Sequence, residues 1–176
     1  MTLLLSFGVA LRGVAQDMKI GYANIELILL YMPETKTMNQ QLQTYEKKLV
    51  EELQAREGYL QTLITEYEDL AKNGSDETTL RAKQDEVMKL QQSIREKSQD
   101  SQQKLMTKRQ DLLEPIIEKL QAEITALAQA EGYAYIFNTV DGSGVSILLH
   151  GPEQHDLTKK LMTRLGIQIP EENAGN

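Results

Sequence analysis

The longest helical pattern in the chain is the feature that most limits its possible folds. From Pro33 to Lys72 there is no further proline and only one glycine, Gly58. Apolar side chains recur mostly at steps of three and four residues, the period of an α-helix with one narrow apolar stripe: Leu42, Tyr45, Leu49, Leu53, Leu60, Leu63, Tyr67 and Leu70. Such a helix is about 60 Å long, whereas a globule of about 160 residues is roughly 40 Å across. The helix therefore has to project from the rest of the protein.

A second helical pattern follows and is predicted to pair with the first. The segment Asn73–Asp76 separates the two, with Gly74 suited to a left-handed helix end and Ser75 or Asp76 to a helix cap. The second pattern runs from about residue 77 to residue 130, and Pro115 inside it predicts a bend. Two long helices joined by a short turn predict an antiparallel hairpin.

One stretch of this hairpin has a weak apolar stripe. Arg95 to Lys104 contains no apolar residue, and a strict coiled coil does not omit that many core positions. Two interpretations are open at this point. Either the hairpin bends or splays here, or Leu49 and Leu53 of the first helix cover the stretch.

Patterns with a period of two flank the hairpin and predict three short strands. They cover Lys19–Asn24, Tyr133–Phe137 and Val145–Leu149, the last two joined as a β-hairpin by a glycine-rich turn. Asn24 and Asp156 are predicted to cap short helices. The apolar and aromatic strand residues are candidates for the core or for contacts between subunits: Ile20, Tyr22, Tyr133, Tyr135, Phe137, Val145, Ile147 and Leu149.

These patterns together predict an α+β fold with a small β body and a projecting α-helical hairpin. The body is discontinuous, from residues 16–35 and 114–170, the arm covers residues 36–113, and residues 171–176 form a flexible tail. With no cysteine in the chain, no disulfide can reinforce so thin a core. We therefore expect the body to be closed by oligomerisation, which also covers its edge strands.

The first residues are predicted to be an export signal. Leu3 to Leu11 is almost entirely apolar but too short to span a bilayer, and small residues follow at Gly13–Ala15. This is typical of a secretory signal over residues 1–15, although a basic residue before the apolar run is missing. The alternative is a buried N-terminal helix. Export predicts a periplasmic protein.

No catalytic chemistry is indicated. There is no cysteine nucleophile, no phosphate-binding glycine loop followed by a helix, and no dinucleotide motif. His150 and His155, with Glu153 and Asp156, lie in a glycine- and proline-containing loop whose spacing matches no helical ligand pair. The net charge of −7 argues against non-specific nucleic-acid binding. The sequence predicts no enzyme, no metal site and no cofactor.

The order of motifs resembles the Skp/OmpH family of periplasmic chaperones. The resemblance is carried by segments spread over the chain after the signal: 19–24 (KIGYAN), 32–34 (MPE), 112–117 (LLEPII), 132–137 (GYAYIF), 156–158 (DLT) and 165–167 (LGI). It implies a homotrimer with a β-barrel body and three coiled-coil tentacles around a cavity. It also implies an ATP-independent holdase that shields unfolded outer-membrane proteins. The alternatives are a structural or tethering coiled-coil protein of the envelope and a prefoldin-like cytosolic chaperone.

The charge of this chain departs from the family pattern. The best-known members are strongly basic, whereas residues 36–113 here carry 13 lysines and arginines against 14 acidic residues. We therefore carry over no lipopolysaccharide or anionic-membrane site and expect apolar client contacts. The candidates are Met38, Leu49, Leu53, Leu60, Leu63, Met88, Leu90 and Met106. The alternative is that most of them only form the stripe between the two helices.

Overall fold

A computed structural model of the protein describes residues 18–168. The predicted signal at 1–15 and the tail at 171–176 lie outside these residues. In order along the chain, the regular elements are strand β1 (Ile20–Ala23), helices α1 (Ile25–Tyr31), α2 (Pro33–Lys72) and α3 (Glu77–Glu131), strand β2 (Tyr135–Asn138), a 3₁₀ turn (Glu153–His155) and helix α4 (Thr158–Arg164).

Helices α2 and α3 form the predicted hairpin, which is called the arm below. Pro33 occupies the first turn of α2, where its missing N–H is not needed. Gly74 in the connecting turn has φ of 72°, the left-handed conformation that glycine adopts without strain. The Asp76 carboxylate accepts a hydrogen bond from the Thr79 N–H at 3.0 Å and caps α3. Helix α3 continues through Pro115 without interruption.

The stretch without apolar residues, 95–104, stays packed against α2. Lys97 Nζ lies 2.9 Å from Glu52 Oε2 on the other helix. Because the helices are antiparallel, this pair places Leu49 beside Ser101, and both residues are buried. The structure therefore agrees with the interpretation that α2 covers this stretch and shows no splaying there.

The two strands pair with each other in parallel and so join the two ends of the arm. Ile20 lies opposite Tyr135, and Tyr22 lies opposite Phe137. The predicted pairing of β2 with a third strand at 145–149 is wrong for the single chain. That run makes one isolated antiparallel bridge, between Ser146 and Val140. Its Ile147 and Leu148 N–H groups donate to the Thr139 carbonyl at 2.9 and 3.2 Å, and its Val145 N–H donates to the Asp141 carboxylate at 2.9 Å. Within residues 18–168, no strand pairs with this run along its length, so the run does not form a strand there.

The core of the body lies between the sheet, the short helices and the base of the arm. Ala23, Ile28, Leu157 and Leu161 have no exposed surface. Gly21 is required where β1 approaches this core, because a Cβ there would lie 2.8 Å from Leu157 Cδ1. The predicted cap of α1 is confirmed, because Asn24 accepts from the Leu27 N–H at 2.9 Å. The N-cap of α4 is Leu157, not the predicted Asp156, which lies one residue earlier and accepts from the Thr158 N–H at 2.9 Å.

An ion pair between Glu34 and Lys119 ties the start of α2 to α3. The hydrogen bond from Lys119 lowers the pKa of the Glu34 carboxyl. Because the pKa is lower in the folded state, the pair stabilises the fold above the ordinary pKa of glutamate and loses this effect as the pH falls through the folded value.

We therefore expect Lys119→Met to lower the melting temperature at pH 7 and to have a smaller effect at about pH 2, because the stabilisation from the pair is lost as the pH falls through the lowered pKa of Glu34. Thermal melts followed by circular dichroism at the two pH values measure this. Lys36→Met is the matched control, since it removes an exposed lysine that has no ion pair within residues 18–168. An equal loss at both pH values would show that Lys119 acts by packing alone.

Candidate functional site

One face of the small sheet is apolar and open to solvent. Ile20, Tyr22, Tyr135 and Phe137 alternate with the buried β1 residues, so they share the face that points away from the core. Tyr135 and Phe137 are 55% and 54% exposed, and their rings stack with centroids 6.2 Å apart. Four of the predicted body residues are therefore brought together here.

The run at 145–149 adds more exposed apolar surface to the body. Val145, Ile147 and Leu149 are all exposed, and Leu149 retains 92% of its surface. This many exposed large apolar side chains on so small a body is unusual for a soluble monomer and indicates an interaction surface. The exposed body face is the name used below for Ile20, Tyr22, Tyr135, Phe137, Val145, Ile147 and Leu149.

Tyr133 does not belong to this face. The pattern predicts three aromatic residues on one side of a strand, but β2 begins at Tyr135 and Tyr133 is buried. Its hydroxyl lies 3.3 Å from His155 Nδ1, and the Lys19 ammonium lies 4.0 Å from its ring centroid. Tyr133 therefore supports the body from within.

A cavity of about 720 Å³ lies beside the exposed body face, and Tyr22, His150 and His155 are among its lining residues. The Tyr22 hydroxyl lies 3.2 and 3.1 Å from the carbonyl oxygens of Gly151 and Pro152 and donates its one hydrogen between them. Partial burial raises the pKa of Tyr22, and the carboxylates of Asp156 and Glu153 raise it further, so the phenol stays protonated. Within residues 18–168 no cluster of three or more histidine or carboxylate ligands is present.

The client-contact candidates on the arm separate into two groups. Met38, Leu49 and Leu63 are buried, Met38 in the body core and the two leucines between the helices. Leu53, Leu60 and Leu90 are half-buried. Met88 and Met106 are 50% and 60% exposed. Of the eight candidates, only these two methionines are open to solvent.

Polar pairs join α2 to α3 along one side of the arm. Glu52 pairs with Lys97 at 2.9 Å and Glu66 with Lys83 at 3.0 Å. The hydrogen bond from Lys97 lowers the pKa of Glu52, and the bonds to Glu86 and Glu66 raise the pKa of Lys83. These charges are largely neutralised within the arm.

Two exposed arm residues were not predicted from the sequence. Val50 and Tyr59 lie beside the stripe between the helices and are exposed. Neither residue falls on the three- and four-residue spacing of the stripe between the helices. An apolar residue off that spacing is expected to be exposed, and this could have been read from the sequence.

Comparison with known proteins identifies the family. The model of the family described as outer membrane protein (OmpH-like) matches residues 19–165. The chaperone protein Skp of Yersinia enterocolitica is 29% identical over 140 residues, which cover 76% of this chain and 82% of that protein. An OmpH-like crystal structure from Caulobacter crescentus CB15 has the same fold, with a TM-score of 0.72 and 13% identity over 98% of this chain and 100% of that chain.

Across residues 18–168, no helix has both the length and the apolar composition needed to cross a membrane.

The match of the family model over most of the sequence, the relative and the shared fold all agree with the resemblance inferred from the motifs. The chain therefore belongs to the Skp/OmpH family.

Proposed function

We propose that this protein is an ATP-independent holdase that binds unfolded outer-membrane proteins in the periplasm and prevents their aggregation. The observation that most supports this proposal is the length of the arm. Helix α2 has 40 residues and α3 has 55, and both extend far beyond the core of the body. A long two-helix arm offers side chains to a non-native chain without enclosing a catalytic pocket. The similarity to the chaperone Skp of Yersinia enterocolitica supports the same function.

The holding unit is a homotrimer. Three copies bury the exposed body face, complete the pairing of the run at 145–149 with a strand of a neighbour, and set three arms around a cavity. The amount of exposed apolar surface on one chain supports assembly, and the thin core of the body supports it as well.

Holding needs no energy source. Many weak contacts inside the cavity lower the concentration of free unfolded client, and this acts by mass action. Met88 and Met106 are suited to such contacts because the thioether side chain adapts to varied surfaces. Release follows when a competing, more stable state is available to the client.

The proposal is tested with the protein purified from a periplasmic fraction. Light scattering should give the mass of three chains, and the protein should keep a urea-unfolded outer-membrane β-barrel protein soluble after dilution, equally with and without ATP. N-terminal sequencing should show removal of about the first 15 residues. A monomer that leaves aggregation unchanged would contradict the proposal.

A further inference from the structure

The thioethers of methionine are the only sulfur groups of this chain, which has seven methionines and no cysteine. Peroxides and hypochlorous acid oxidise thiols readily and convert the thioether of methionine to a sulfoxide. Because there is no thiol to react first, such oxidants act on the methionines of this protein.

Burial divides these methionines into two groups. Three belong to the core of the body and are at most 8% exposed: Met32, Met38 and Met162. Three others are at least 50% exposed: Met18, Met88 and Met106. An oxidant has to reach the sulfur atom in order to react, so the fold protects the methionines of the body core and leaves those of the arm open to attack.

Met106 has hydrogen-bond donors one turn away on either side. Gln102 lies four residues before it and Arg109 three residues after it on α3, and these are neighbouring positions on a helix surface. All three residues line one groove of about 560 Å³. Glu46 lines the groove as well; it can pair with Arg109, and Gln102 then remains as a donor. The oxygen of a sulfoxide accepts hydrogen bonds, so the arm can bind the oxidised side chain at its own surface.

The surroundings of Met88 repeat this arrangement. Gln84 lies four residues before it and Gln91 three residues after it, so two amide groups flank the thioether on the helix surface. A sulfoxide at either position is therefore expected to turn back to the helix that carries it. The reduced thioether, in contrast, packs freely against an apolar partner.

We propose that Met88 and Met106 are reversible oxidation sites, and that a peroxide or hypochlorous acid weakens the hold of the arm on its client by converting them to methionine sulfoxide. This inference rests on the proposed holdase function, which uses the two methionines as client contacts. A sulfoxide is polar, so it loses the apolar contact that the thioether makes. The buried methionines stay reduced, so the body stays folded and the change affects the arm alone.

The reaction is a two-electron oxidation of sulfur. A lone pair of the thioether attacks one peroxide oxygen, an S–O bond forms, and the O–O bond breaks. The leaving hydroxide takes the proton of the new S–OH group and departs as water, so sulfur is oxidised and the peroxide is reduced. Methionine sulfoxide reductases reverse the change: they restore the thioether, release the oxygen as water and oxidise two thiols to a disulfide.

Peptide mass spectrometry tests which methionines react. The full mature protein is treated with limiting hydrogen peroxide, and the sulfoxide at each methionine is measured over time. Because the other three sulfurs are buried, we expect Met88 and Met106 to react at least about tenfold faster than Met32, Met38 and Met162. Comparable rates for the two groups overturn the inference.

Client binding before and after oxidation tests the effect on holding. The peroxide is removed before a urea-unfolded outer-membrane β-barrel protein is added as client. We expect the oxidised protein to bind about tenfold more weakly. Binding should recover after treatment with the two reductases that act on the two sulfoxide epimers. Unchanged binding when Met88 and Met106 are fully oxidised overturns the inference, and so does a loss that the reductases do not restore.

Leucine substitutions separate the arm from the other exposed methionine. Met88→Leu with Met106→Leu removes both thioethers and keeps apolar side chains. Met18→Leu is the matched control, since Met18 is equally exposed but precedes β1. We expect oxidation to change binding by the arm variant less than about twofold relative to its own untreated state, and to weaken the Met18→Leu protein as much as the parent. Equal sensitivity of the arm variant and the parent overturns the inference. An untreated parent that binds no client contradicts the holdase function itself.

Discussion

Replacing Leu157 with alanine is expected to unfold the body while the arm remains helical. Leu157 has no exposed surface, its Cδ1 fills the space left by Gly21, and its N–H donates to the Tyr22 carbonyl at 2.8 Å. Truncating a buried leucine costs about 2 to 5 kcal/mol. A core as small as this one supplies about 3 to 5 kcal/mol, so the loss is comparable with the whole stability of the body.

Two spectral signals distinguish unfolding of the body from unfolding of the whole chain. The chain has no tryptophan, so the near-ultraviolet signal comes mainly from tyrosines. Near-ultraviolet circular dichroism of the tyrosines of the body should be lost, while the signal at 222 nm from α2 and α3 stays largely intact. Leu30→Ala is the matched control, since Leu30 belongs to the body but is exposed. An unchanged melting curve for Leu157→Ala would mean that α4 does not complete the core.

Phe137→Glu is expected to dissociate the proposed trimer into folded monomers. The Phe137 side chain belongs to the exposed body face, so a carboxylate is tolerated there in one chain but would be buried in the proposed trimer. Burying an unpaired carboxylate costs several kcal/mol, and each 1.4 kcal/mol is tenfold in affinity. We therefore expect association to weaken by at least about 100-fold.

Sedimentation at several protein concentrations measures this change. Tyr59→Glu is the matched control, because Tyr59 is an aromatic residue of similar exposure on the arm, and its substitution should leave the mass unchanged. A Phe137→Glu protein that keeps the mass of the parent would show that the sheet face does not form the subunit contact. The helical signal, which should be the same in both variants, confirms that neither change unfolds the chain.

The arm could be predicted from the sequence because each of its ends has a local cause. Pro33 sets the start of α2, Gly74 ends the turn that follows it, and Asp76 caps α3, so no distant contact was needed to locate them. The stripe at three- and four-residue steps then fixes which sides of the helices meet.

The body was predicted less well because its structure depends on distant parts of the chain. The period of two at 145–149 predicts an extended segment, but it does not say whether a partner strand lies alongside, and the run forms only one bridge, between Val140 and Ser146. Tyr133 follows the same alternation as Tyr135, yet its place beside His155 is decided by a segment more than twenty residues away. Local pattern carries no information about either partner.

The exposure of the client-contact candidates could not be predicted from the sequence. Met38 and Leu63 have suitable chemistry but are buried in the fold, whereas Met88 and Met106 are exposed. Burial, which separates the two pairs, depends on how the helices pack and is a property of the folded arm.

The parallel pairing of β1 and β2 has a consequence for how the chain folds. Lys19 donates to the Glu131 carbonyl although 112 residues separate them, so the body closes an exceptionally long loop. If α2 and α3 pair first, starting from the turn that joins them, the loop that remains to be closed is about a dozen residues long. The entropic cost of closing it is then lower by about 2 kcal/mol. Because this saving requires only that the helices lie side by side, both can gain or lose whole turns without raising the cost of closing the body.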